Sequence, residues 1–114
     1  MMHEYSITDS MLKEVLSQAD EHGAKRVTRI KLLVGEAAGV VPECVQFYFD
    51  VMKQGTIAQD AKLEFERVGL RLRCPKCGAE FGSIDDMCDC NAGAEFVSGQ
   101  EMVIESIEIE DGKR

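Results

Sequence analysis

Residues 74 to 90 read CPKCGAEFGSIDDMCDC and hold four of the five cysteines of the chain. Cys74 and Cys77 form a C-x-x-C pair with Pro75 inside it and Gly78 just after. Cys88 and Cys90 form a tighter C-x-C pair, and residues 78 to 87 lie between the pairs. Two close thiol pairs on a short loop can bring four sulfurs to one tetrahedral centre. That is the ligand set of a structural zinc site, closed because no position is left for water. Thiolate tetrahedra also hold iron, so the spacing speaks for a metal before it names one. In C-P-x-C-G the proline and glycine help the backbone turn around the ion. The competing readings are a disulfide pair, a redox C-x-x-C and free buried thiols. A redox motif needs one C-x-x-C beside a β-α-β pattern, and a second cysteine pair would be surplus to it.

The segment from Cys74 to about Gln100 is too short to bury a core of its own. A metal is the usual staple for such a piece, and zinc binding supplies roughly 10–16 kcal/mol of apparent free energy. The whole chain has 114 residues, enough for one modest domain. Its formal net charge is −8, from 21 acidic and 13 basic residues. That speaks against nucleic acid, since phosphate binding needs a basic face. No apolar run approaches the ~20 residues of a membrane helix. His3, Glu4, Asp9, Lys13 and Glu14 interrupt any signal-peptide core. Clustered thiols without such a signal indicate a reducing, cytoplasmic setting.

Outward from the cysteines, the periodicity sketches the rest. Residues 5 to 22 carry Ile7, Met11, Leu12, Val15, Leu16 and Ala19 at helical spacing, and Gly23 is a stop signal. Residues 26 to 34 read as a strand, with Thr28, Ile30, Leu32 and Val34 on one face and Val27, Arg29, Lys31 and Leu33 on the other. Pro42 opens a second helix whose apolar side is Cys44, Val45, Tyr48, Phe49, Val51 and Met52. Residues 61 to 73 alternate, with a change of parity near Val68-Gly69 that reads as a bulge or bend rather than one straight strand. Residues 102 to 110, MVIESIEIE, form a third strand returning to the main sheet. The expected fold is a small α/β (α+β) layer, a three-stranded sheet with two helices packed on it, carrying an inserted zinc-ribbon-like module. The division is residues 1–73 and 101–114 for the α/β domain and 74–100 for the module.

MHEYSI at residues 2–7, HGAKRVTRIKLLVGE at 22–36, QGTIAQDAKLEFE at 54–66, the cysteine cluster and SIEIE at 106–110 together resemble the HypA/HybF family of hydrogenase nickel-incorporation accessory proteins. The resemblance runs from Met2 to about Glu110. It implies a metallochaperone that carries nickel for nickel-iron hydrogenase maturation, and in some organisms assists urease. It implies a structural Zn2+ held by Cys74, Cys77, Cys88 and Cys90, and Ni2+ cargo bound at the amino terminus by Met2, His3 and Glu4. The partners it implies are the nickel-handling maturation GTPase and the hydrogenase large-subunit precursor, with a homodimer left open. Two features depart from the family pattern. The second pair is C-x-C where a C-x-x-C is usual, and Met1 precedes the methionine that matches the family's first residue.

The chemistry of the nickel motif is reasonable on its own. Nickel(II) accepts imidazole and favours square-planar nitrogen sets. An amine, backbone nitrogens and one imidazole can supply them, with the Glu4 side chain or backbone as a further contact and Glu36 or Glu43 as outside candidates. His22, at a helix end, reads as solvated, Cys44 as a core-packed thiol, and Asp85-Asp86 as a loop tip. No nucleophile sits beside a base in any recognisable motif, and a closed four-sulfur site has no open position, so the reading is not an enzyme. The alternative from another class is a zinc-ribbon adaptor that binds only protein and moves no metal.

Overall fold

A computed structural model of the chain describes residues 2–111. Met1, and with it the extra residue ahead of the amino-terminal motif, lies outside them, as do residues 112–114 and the side chains of Met2 and Ile84. The order begins with helix α1 (Met2–Glu21), strand β1 (Ala24–Gly35), helix α2 (Pro42–Met52) and strand β2 (Lys62–Val68). Strands β3 (Arg71–Arg73), β4 (Glu80–Phe81), β5 (Glu95–Ser98) and β6 (Met102–Asp111) follow.

The main sheet has the order β2-β1-β6. β1 runs parallel to β2, with α2 in the crossover between them, and antiparallel to β6. Helix α1 contributes buried Met11, Leu12, Val15 and Ala19, spaced to form one stripe. They meet Ile30, Leu32 and Val34 of β1 and Val45 and Phe49 of α2 in one core. Complete burial of a side chain such as Ile30, Leu32 or Phe49 is worth roughly 1.5–3 kcal/mol each. Gly23 adopts φ +67° directly after α1, the left-handed conformation that glycine takes without strain.

Three local expectations shift. The helix begins at Met2 rather than at residue 5, so the amino-terminal motif is the first turn of α1 and not a lead-in to it. Val27 is fully buried with Ile30, Leu32 and Val34, against the simple alternation. The cause is a pair of register irregularities between β1 and β6, at Ala24/Arg26 and Val27/Arg29, which turn Val27 to the core side. Residues 61 to 73 are two strands in two different sheets: β2 ends at Val68, and β3 pairs with β4 and β5. The parity change at Val68-Gly69 marks the passage between the sheets.

The smaller sheet, order β4-β3-β5, carries the cysteine cluster. Its core is minimal: Leu72, Cys74 and Phe81 are buried, and Leu70, Met87, Cys88 and Cys90 pack around them. The two sheets meet where the backbones of Gly35, Gly69 and Gly99 crowd together. A Cβ on Gly35 would lie 2.4 Å from the Gly99 backbone, and one on Gly99 would lie 2.6 Å from the Gly69 carbonyl oxygen. Across this junction Ala37 N–H donates to the Gly99 carbonyl at 2.8 Å, and Leu70 N–H donates to the Glu36 carboxylate at 2.7 Å.

Candidate metal centre

The Sγ atoms of Cys74, Cys77, Cys88 and Cys90 all lie within 4.8 Å of one another. A tetrahedron with Zn–S distances of about 2.3 Å places its sulfurs about 3.8 Å apart, so the four thiols fit one zinc ion with sub-ångström adjustment. No disulfide joins them.

The first pair is shaped by its backbone. Gly78 N–H donates to the Cys74 carbonyl, and Cys74 N–H donates to the Ala79 carbonyl, each at 2.9 Å. Gly78 takes φ +78° to close this turn. The amides of Lys76 and Cys77 then point at Cys74 Sγ, at 3.4 and 3.5 Å. Those donors, Cys77 first and Lys76 second, pull the Cys74 thiol down from 9.0 to about 6. An N–H aimed at sulfur favours the thiolate, the form that binds metal. Cys90 goes the other way, to about 12, chiefly because of its hydrogen bonds with the thiols of Cys77 and Cys88. Negative charge in the metal-free cluster therefore gathers on Cys74, and a divalent cation relieves the rest.

The second pair is turned by residues whose role was not legible in the motif. Asn91, directly after Cys90, takes φ +57°, and Gly93 takes φ +81°. Asparagine and glycine are the residues that tolerate this conformation, so an Asn shortly after a C-x-C is the signal that was available. The short x spacing is thus followed by a tight reversal.

The amino-terminal motif lies elsewhere on the molecule. His3 is exposed, and Glu4 is buried at 4% relative exposure. The Glu4 carboxylate accepts the N–H of Val41 at 3.2 Å, which holds its pKa below the usual 4.5. Val41 is the N-cap of α2 and has no side-chain cap of its own. In a capping box the acceptor is a Glu of the same helix; here a Glu from α1 takes that place. The positive ends of two helices thus converge on one carboxylate. One turn further, Thr8 Oγ1 donates to the Glu4 carbonyl at 2.6 Å, and the Tyr5 and Tyr48 rings meet edge to face at 5.4 Å.

The remaining candidates separate. The Glu36 carboxylate is engaged with Leu70 N–H in the junction, and Glu43 is exposed in the first turn of α2. His22 is exposed, with Nδ1 donating to the Gln18 carbonyl at 2.8 Å. Cys44 is half-buried on α2, and Asp85 and Asp86 are exposed in a short 3-10 turn. No helix among the described residues is long and apolar enough to cross a membrane.

Comparison with known proteins agrees with this geometry. The family described as "Hydrogenase/urease nickel incorporation, metallochaperone, hypA" matches residues 2–109. The hydrogenase maturation factor HypA of Dehalococcoides mccartyi strain CBDB1 is 43% identical over 114 residues, covering 96% of each chain. That of Archaeoglobus fulgidus is 38% identical over 109 residues, covering 96% of this chain and 99% of its own. The solution structure of the Ni metallochaperone HypA from Helicobacter pylori superposes with a TM-score of 0.77 over 95% of this chain and 97% of that one. At 21% identity this likeness speaks for the fold. With its family's match running from Met2 to Ile109 and its four thiols gathered to fit a zinc ion, the chain belongs to the HypA family of nickel-incorporation metallochaperones.

Proposed function

We propose that the protein carries nickel at its amino terminus for hydrogenase maturation and uses zinc as a structural staple. Cys74, Cys77, Cys88 and Cys90 hold the zinc, and Met2, His3 and Glu4 form the nickel site. The observation that carries the nickel assignment is the position of these three residues in the first turn of α1, inside the family match. First-turn amides have no acceptor within the helix, so a metal bond at the His3 amide breaks no ladder hydrogen bond. The exposed His3 imidazole is a suitable nickel(II) donor. The Glu4 carboxylate is held by Val41, which favours a backbone contribution from Glu4 and a positioning role for its side chain.

The nickel-binding part is residues 1–70 and 101–114 and the zinc module residues 71–100; β3 pairs with β4 and β5, so the boundary expected at residue 73 moves back to residue 70. The recipients are a nickel-handling maturation GTPase and the hydrogenase large-subunit precursor, in the cytoplasm, with urease as a second client. The protein performs no catalytic step of its own. The test is metal analysis of native, untagged protein after nickel loading. One nickel and one zinc per chain is expected, with His3→Ala losing nickel and keeping zinc. Nickel retained in full by His3→Ala overturns the site. Zinc without any nickel binding supports the protein-only adaptor instead.

A further inference from the structure

Strand β6 is ten residues long and, among the described residues, pairs on one side only, with β1. Its inward side chains are incompletely covered. Met102, Ile104 and Ile107 are half-buried and Ile109 is exposed, whereas the equivalent residues of β1 are fully buried. The cause is the placement of α1, whose buried stripe lies over β1 and leaves a furrow along β6. Two cavities occupy that furrow. One of about 520 Å³, lined also by the acidic residues Glu14 and Glu105, lies between Ala19 and His22 of α1 and Ile107 and Ile109 of β6. The other, of about 370 Å³, lies between Ile7 and Met11 of α1 and Met102. Both are also lined by Ile104, so together they follow the strand.

The opposite face of the sheet has an ordered charge pattern. Three of the four cations of β1, Arg26, Arg29 and Lys31, each stand between two carboxylates. Lys31 is 2.9 Å from Glu66 and 3.1 Å from Glu105. Arg29 is 2.9 Å from Glu64 and 3.7 Å from Glu108. Arg26 is 2.7 Å from Glu110 and 3.9 Å from Asp60. Three cations serve six carboxylates, so Glu105, Glu108 and Glu110 form a half-neutralised row on the strand at the sheet edge. A strand added there would place its outward side chains beside that row and its inward ones in the furrow.

We propose that the free edge of β6 docks an extended segment of a partner protein in which apolar residues alternate with lysine or arginine. Main-chain hydrogen bonds to an exposed sheet edge supply the affinity in such strand addition, and alternate side chains supply the selectivity. Cations at alternate positions would continue the acid–cation–acid order across the sheet, and opposite charges across strands are favourable. A second copy of this chain fits badly. Antiparallel pairing of β6 with itself sets carboxylates against carboxylates, in a chain of net charge −8. The apolar residues of the incoming segment would complete the cover over Ile104, Ile107 and Ile109.

The test uses the full zinc-loaded chain, 15N-labelled, titrated with a nine-residue peptide alternating lysine and valine and with its glutamate–valine counterpart. The lysine peptide should shift the amide signals of residues 102–111 and of residues 18–22, slow amide exchange along β6, and bind at least tenfold more tightly than the glutamate peptide. In the double variant Glu105→Lys/Glu108→Lys the preference should reverse, and binding of the glutamate peptide would show that the variant is folded. The proposal is overturned by absent binding, by equal binding of both peptides, by shifts confined to other surfaces, or by sedimentation showing β6 already covered in a dimer.

Discussion

The carboxylate of Glu4 accepts the backbone N–H of Val41 at 3.2 Å, across 37 residues of sequence. It ties the first turn of α1 to the N-cap of α2, and so fixes the backbone that carries His3. The hydrogen bond from Val41 holds the Glu4 pKa below its ordinary value of 4.5. A depressed folded-state pKa means that the contact contributes stability above about pH 4.5. That contribution is lost as pH falls through the lowered folded value. The protection of the Val41 amide against hydrogen exchange should therefore fall with pH in that acid window in the native protein. Glu4→Gln, which does not titrate, should show no step there. Exchange measured by NMR at several pH values checks this, and an identical step in both proteins would reassign the titrating group.

Substituting Cys77→Ala should release the zinc and raise amide exchange throughout residues 74–100. Among the described residues its small core has only Leu72, Cys74 and Phe81 buried, too little apolar surface to persist without its ion. Helix α1 and strands β1, β2 and β6 should keep their protection, because their core is the separate cluster around Ile30, Leu32 and Phe49. Metal analysis together with hydrogen exchange reads both parts. One retained zinc with unchanged exchange in the module would contradict the four-thiol site.

Zinc loading at pH 7.5 should release fewer protons than the four thiols could supply. Cys74, at about 6, is already a thiolate there, whereas Cys90, at about 12, must lose its proton to the buffer as the metal binds its sulfur. The dependence of zinc affinity on pH should steepen below about pH 6, where Cys74 also takes up a proton. The metal-free module has a matching signature. The lowered Cys74 pKa contributes stability that is complete above pH 9.0 and lost as pH falls through about 6. The raised Cys90 pKa contributes stability present below pH 9.0 and lost as pH rises toward about 12. The residual structure of the metal-free module should thus be greatest near pH 9. Calorimetry in buffers of different ionisation enthalpy counts the protons, and circular dichroism of the metal-free chain locates the optimum.

Gly35→Ala should destabilise the junction between the sheets by about 1–3 kcal/mol, the usual range for overpacking. Its Cβ would meet the Gly99 backbone at 2.4 Å, and no flexible side chain is there to move aside. The hydrogen bond from Ala37 to Gly99 should weaken with it. Gly69→Ala is the control: a Cβ there meets nothing within 4 Å, so its effect should stay within about 0.5 kcal/mol. Chemical denaturation of the two variants makes the comparison, and equal stabilities would show that the junction can spread to admit a methyl.

Some of this was legible in the chain alone. The cysteine spacing placed four sulfurs on one short segment, and their convergence needs no distant residue. Pro42 opening α2 and Gly23 closing off α1 were equally local, since both act through their own φ. Alternation in MVIESIEIE marked β6 as a strand with one apolar face. Periodicity failed wherever a partner strand set the outcome. Val27 turned inward because bulges against β6 changed its parity, and residues 61–73 divided because Gly69 and Leu70 pass from one sheet to the other.

The sequence by itself determined the four-thiol cluster and the identity of most elements, because spacing along the chain controls both within a few turns of backbone. The tertiary structure alone decided that Glu4 would cap a helix 37 residues away and that three glycines would crowd at one junction. It also decided that β6 would stand at an edge with its isoleucines half covered. Those outcomes depend on which strands pair and in what register. Register is settled by the summed packing of the core, which no single stretch of sequence contains.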